Sequence, residues 1–162
     1  MTELFESVKK RAKELGVKKI VVASSTGDSA KRAVRELGTK DYEIIVVTDR
    51  AGVIWDVGSM SEKMRREYEI KAGTKEYSSG IAHDLPVRKE LKDMGVSWII
   101  QATEVFRGIN IPGGFNMAQV IAQTLYLFGS GTKVAIEITL IACDAGAVRA
   151  GEDVIAIVEM VN

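Results

Sequence analysis

The chain has 162 residues, 27% of them charged, and its 22 Lys and Arg are balanced by 22 Asp and Glu. That length suits one domain with a substantial core, and a formal net charge of +0 removes the global field that would attract nucleic acid or an anionic membrane surface. A single cysteine, Cys143, excludes an internal disulfide and a cysteine-based zinc site, which fits a reducing cytoplasm.

The first 16 residues lack the unbroken apolar core of a signal peptide, and no apolar run elsewhere is long enough to span a bilayer. The expectation is a soluble cytoplasmic protein with no membrane or nucleic-acid partner. Abundant Lys and Glu, with few Gln and Asn, lean towards a heat-adapted source. Thr2 is placed to cap an amphipathic helix whose apolar side includes Leu4, Val8, Ala12 and Leu15, with Gly16 ending it.

Residues 18–38, KKIVVASSTGDSAKRAVRELG, organise the rest. Residues 20–23 read as a strand buried on both faces of a parallel sheet. Ser24, Ser25, Thr26, Gly27, Asp28 and Ser29 form a hydroxyl-rich turn, and Ala30, Ala33, Val34 and Leu37 then recur at helical spacing until Gly38. The first amides of a helix lack intrahelical partners and carry partial positive charge, so anions bind there. Gly27 allows close backbone approach, and the hydroxyls of Ser24, Ser25, Thr26 and Ser29 can donate to phosphate oxygens. Two features pull the other way: the Asp28 carboxylate repels an anion, and Thr26 or Asp28 serves equally well as a plain helix cap. Neither the Walker nor the dinucleotide glycine spacing is present.

Residues 42–48, YEIIVVT, are a second buried strand that delivers Thr48, Asp49 and Arg50 to the sheet end where the turn lies. Ligands of open parallel sheets bind beyond the carboxyl ends of the strands, although Asp49, Arg50 and Gly52 also suit a simple turn. Met60, Met64 and Tyr68 predict a helix over 61–71, and residues 72–84 a loop over the same sheet end. The only histidine, His83, is either an acid/base group or a surface or capping residue. Asp84 and Pro86 open a helix over 85–94.

Residues 97–101, SWIIQ, are a third strand, leading into a loop with Thr103, Glu104 and Arg107. Arg107 is a candidate phosphate clamp or a solvated arginine. A helix over 115–128 follows, and its Met117, Val120, Ile121, Leu125 and Phe128 predict burial. Residues 133–146 combine β-branched content with helical length, and periodicity does not arbitrate. Glu137 within them needs a partner or a raised pKa, as a catalytic carboxylate or as one held by an amide or a basic group. Residues 154–161, VIAIVEMV, are the last strand.

The SSTGDSA turn between strand and helix, followed by EIIVVTD, resembles the carboxy-terminal α/β domain of pyruvate kinase. The whole chain more closely resembles the stand-alone archaeal and bacterial family of pyruvate kinase alpha/beta domain proteins, through WIIQATEVFRGIN, the FGSGTKVAIEI segment with Glu137, and ACDAGAV. The resemblance implies an α/β fold: a three-layer open parallel sheet in strand order 3-2-1-4, residues 133–145 being helical. It also implies a phosphate-bearing ligand, because the corresponding turn of pyruvate kinase belongs to its sugar-phosphate site and stand-alone members are associated with flavin mononucleotide (FMN). Ser24, Ser25, Thr26, Gly27 and Ser29 are then the phosphate residues, with Thr48, Asp49, Gln101 and Thr103 nearest the ribityl or ring portion.

The catalytic barrel of pyruvate kinase, its metal-binding carboxylates and its phosphoryl-transfer lysine have no counterpart, so no kinase activity is expected. Family members continue with a Gly-rich segment and a further strand, whereas this sequence ends at Asn162. Residues 154–161 are therefore expected to form an open edge that pairs with a second subunit. Two other readings are a flavin-dependent or phosphate-ester-processing enzyme using His83, Glu104 or Glu137, and a regulatory module that binds a sugar phosphate.

Overall fold

The computed structural model describes residues 2–50, 54–59, 62–67, 72–73, 75–78, 85–108 and 112–159. Its centre is a sheet of four parallel strands, β1 (Lys19–Ala23), β2 (Glu43–Thr48), β5 (Trp98–Gln101) and β6 (Ile155–Ile157), in the order β5-β2-β1-β6. Register pairs Val21 with Ile45 and Ala156, and Thr48 with Gln101. This is the order that the family resemblance implied. A separate antiparallel pair, β3 (Ile54–Asp56) with β4 (Glu76–Ser78), places a strand where a loop was expected over 72–84. The reason is cross-strand pairing, which a local reading of three residues does not reveal.

Alternation along the strands builds two cores. Ile20, Val22, Ile44, Val46 and Ile99 face one side, where they meet helices α1 (Thr2–Leu15), α2 (Asp28–Leu37) and α4 (Leu85–Asp93). Val21, Ile45, Val47 and Ile100 face the other, where Ile138, Ile141 and Ala142 of α6 (Ser130–Asp144) cover them. Helices on both faces of a parallel sheet make three layers. The helix α3 (Glu62–Glu67) falls within the helix expected over 61–71, and residues 60, 61 and 68–71 lie outside the described residues. None of the described helices is long and apolar enough to cross a membrane.

Several expectations about burial need correction. In α1 the inward stripe is Phe5, Val8 and Ala12, while Leu4 and Leu15 are exposed, because the rotation that seats Phe5 turns them away from the sheet. The α5 helix (Met117–Tyr126) packs on α6 and not on the sheet, so it buries only Ala122 fully and leaves Met117, Val120 and Ile121 exposed, as is Phe128 in the turn beyond its end. Of the strand expected over 154–161, residues 160 and 161 lie outside the described residues, and among the others only Ile155, Ala156 and Ile157 find partners in β1. Beyond them Glu159 turns to Arg32 of α2, Nη2 to Oε2 2.9 Å.

The helical reading of residues 133–145 holds, and the helix begins three residues earlier, at Ser130. Its β-branched Val134, Ile138 and Ile141 pack on the sheet, and this tertiary contact overrides their strand propensity.

Candidate functional site

The carboxyl ends of β1, β2 and β5 bring Ser24, Thr48 and Gln101 into one row, with Asp49, Arg50, Thr103 and Glu104 just beyond. Parallel strands all end on the same side of the sheet, so the nine candidate residues fall at or just beyond that one end. They are differently engaged there.

The turn after β1 is closed on itself. Ser24, buried, accepts through Oγ from the backbone N–H of Gly27 at 3.1 Å and of Ala30 at 3.3 Å. The cap of α2 is therefore the Ser24 hydroxyl, three residues before the Gly27 N-cap position, and neither Thr26 nor Asp28 takes that role from the cap position itself. The Thr26 hydroxyl donates to Asp28 Oδ2 at 2.8 Å and accepts weakly from the Asp28 amide at 3.4 Å. Gly27 has φ 102°, and a Cβ there would stand 2.6 Å from Val87 Cγ1 of α4. The close approach that this glycine permits is thus the packing of α4 onto the turn. Ser25 and Ser29 are half-buried beside it.

At the other side of the row, Gln101 Nε2 is buried without a hydrogen-bond partner among the described residues. Thr48, its register neighbour, is buried, Asp49 is half-buried and Thr103 is exposed. Glu104 gathers two arginines. Arg50 Nη1 donates to its Oε1 at 2.7 Å, and Arg107 Nη1 lies 3.3 Å from each carboxylate oxygen. Two arginines therefore share one carboxylate at this rim, where Asp49 supplies a second negative charge. The sequence places Arg50 at this sheet end, with a simple turn as the alternative, but does not reveal its pairing with Glu104. A reading of single positions carries no signal for an arginine and a glutamate 54 residues apart.

Glu137 finds both kinds of structural partner. Its Oε1 accepts from the Phe106 N–H at 3.0 Å, and its Oε2 from Lys133 Nζ at 2.5 Å. Lys133 is itself buried, with its ammonium about 6 Å from the ring centres of Phe106 and Tyr126. Glu137 thereby anchors the loop after β5 to α6. His83 lies outside the described residues. Among the described residues, no cluster of three or more His, Cys, Asp or Glu is placed to hold a metal ion.

A turn of hydroxyls leading into a helix, a parallel sheet in 3-2-1-4 order and a buried Glu137 that ties the loop after the third sheet strand to α6 are joined by one further finding. A family model described as "Pyruvate kinase, alpha/beta domain" matches residues 2–161, and the chain belongs to that family.

Proposed function

We propose that the chain binds a phosphate-bearing small molecule across the carboxyl end of its parallel sheet, with FMN the first ligand to test. Gln101 carries this reading. A buried donor with no partner costs about 1–3 kcal/mol, and a ligand carbonyl or ring nitrogen beside Nε2 would remove that cost. Ser24 and Gln101 follow strands separated by β2, so they stand roughly 10 Å apart. A mononucleotide covers that span from ring to phosphate.

The fit is divided between the two ends. The Gln101 end suits a neutral, hydrogen-bonding ring. The turn suits a phosphate through the hydroxyls of Ser25 and Ser29, and a phosphate reaches the Gly27 and Ala30 amides only by displacing the Ser24 hydroxyl. Asp28 opposes any anion there.

Titration of the purified protein with FMN, followed by absorption and fluorescence, tests the reading. Gln101→Leu is expected to weaken binding about tenfold or more and to stabilise the ligand-free protein by about 1 kcal/mol, because it removes an unpaired polar group. Asp28→Asn is expected to tighten binding. Failure of the wild type to bind FMN, or an unchanged affinity in Gln101→Leu, would count decisively against this assignment.

A further inference from the structure

Position 108 to position 132 contains no charged residue, in a chain that is 27% charged. This stretch includes α5, and α5 has two apolar sides. A narrow one, Ala118, Ala122 and Leu125, turns towards the body of the protein, with Ala122 buried. The other, Met117, Val120 and Ile121, faces solvent, with the exposed Thr124 one turn further on and Phe128 continuing the line in the turn just past the helix end. Such a stripe is the pattern with which one helix seats against another. Leu127 and Phe128, 83% and 74% exposed, project at its carboxyl end.

The exposed surface continues onto α6. Ile136 and Leu140, one turn apart, stand on the side of α6 that also bears Lys133, whose ammonium lies beside the Tyr126 ring of α5. Together the exposed apolar side chains of the two helices offer on the order of 800 Å², the area that each partner contributes to a standard stable interface. Beside the stripe, a groove of about 600 Å³ is lined by Phe115, Val120 and Leu127 on its apolar side and by Gln119 and Gln123 on its polar side.

We propose that a second copy of this chain docks on this face, α5 against α5 and antiparallel, about a two-fold axis near Ile121. A two-fold perpendicular to the helix sets Phe128 of each copy over the groove of the other, so one face supplies both the anchor and its receptacle. Self-association requires a surface that does not repel itself, and an uncharged one meets that condition. A lipid surface is the poorer fit, because helices that lie on membranes carry Lys or Arg along their polar flank, and the flank of α5 carries Gln119 and Gln123.

Light scattering coupled to size exclusion, at tens of micromolar, tests the proposal. The wild type is expected at twice the chain mass of 17.7 kDa. Phe128→Glu and Val120→Asp, both at exposed positions, are expected to weaken the dimer by at least about thirtyfold and to elute at one chain mass with an unchanged far-ultraviolet circular dichroism spectrum. Leu15→Glu, an equally apolar exposed change on α1, is expected to stay dimeric. A monomeric wild type, a dimer that survives both α5 substitutions, or a monomer that binds phosphatidylcholine vesicles through this face would each overturn it.

Discussion

Gly27 answers two demands at once. Its φ of 102° lies where an L side chain is strained, and its missing Cβ leaves the space that Val87 Cγ1 occupies. Valine is stiff about χ1, so Val87 cannot rotate away without moving α4. Gly27→Ala is expected to cost about 2–4 kcal/mol from the combined backbone strain and overlap. Urea unfolding checks this, and a loss below half a kcal/mol would show that α4 shifts freely. Gly27→Ala paired with Val87→Ala should relieve the overlap, so that the double variant costs less than the two single changes summed, leaving the backbone strain and the lost Val87 packing. Ser24 illustrates a different point at the same scale: a hydroxyl that looks available to a ligand is already engaged by the helix that it precedes.

Among elements, α6 has the most to hold together. It covers one face of the sheet with Ile138, Ile141 and Ala142, and it carries the buried Lys133–Glu137 pair on an adjoining side. Such a pair contributes little net stability, yet breaking it strands a charge. Lys133→Met is expected to destabilise by about 3–5 kcal/mol, since Glu137 would keep only the Phe106 amide. The double variant Lys133→Met with Glu137→Leu should cost much less than the two single changes summed, and a double-mutant cycle of unfolding free energies measures the coupling. Strict additivity would mean that the two groups do not act as a pair. At the other end of the sheet, Lys19 of β1 clasps the turn before β6, donating to Ala147 O at 2.8 Å and to Glu152 at 3.0 Å.

For the molecule as a whole, Glu152 predicts the sense of the acid response. The Arg149 backbone N–H, then Lys19, hold its carboxyl below the usual 4.5. A folded-state pKa that is depressed adds stability above the unfolded value and loses it as the pH falls through the folded one. Stability measured below pH 4.5 should therefore decline in part through Glu152. Glu152→Gln should be the less stable protein at neutral pH and should converge on the wild type in acid. Parallel stability curves across that range would show that the clasp does not titrate. The same variant separates this network from the α5 face, since Glu152 lies on neither α5 nor α6 and its replacement is expected to leave the proposed dimer intact.

The sequence by itself located the four strands of the parallel sheet, though not the extent of the last, and determined the helix boundaries set by Gly38 and Gly16 and the collection of hydroxyls and polar groups at one sheet edge. These follow from local rules: β-branched runs suit buried parallel strands, and all parallel strands end on one side. Strand order and the helical state of residues 133–145 became legible only through resemblance, because propensity there pointed both ways. Tertiary structure alone decided which polar groups are engaged. It paired Arg50 with Glu104 across 54 residues of chain, closed Ser24 onto the Gly27 and Ala30 amides close by in sequence, and left Gln101 Nε2 without a partner among the described residues. It also decided the fate of α5, whose apolar stripe specifies burial without specifying against what. An amphipathic pattern records that a face must leave water, and only the packed molecule shows whether its own core provides the cover.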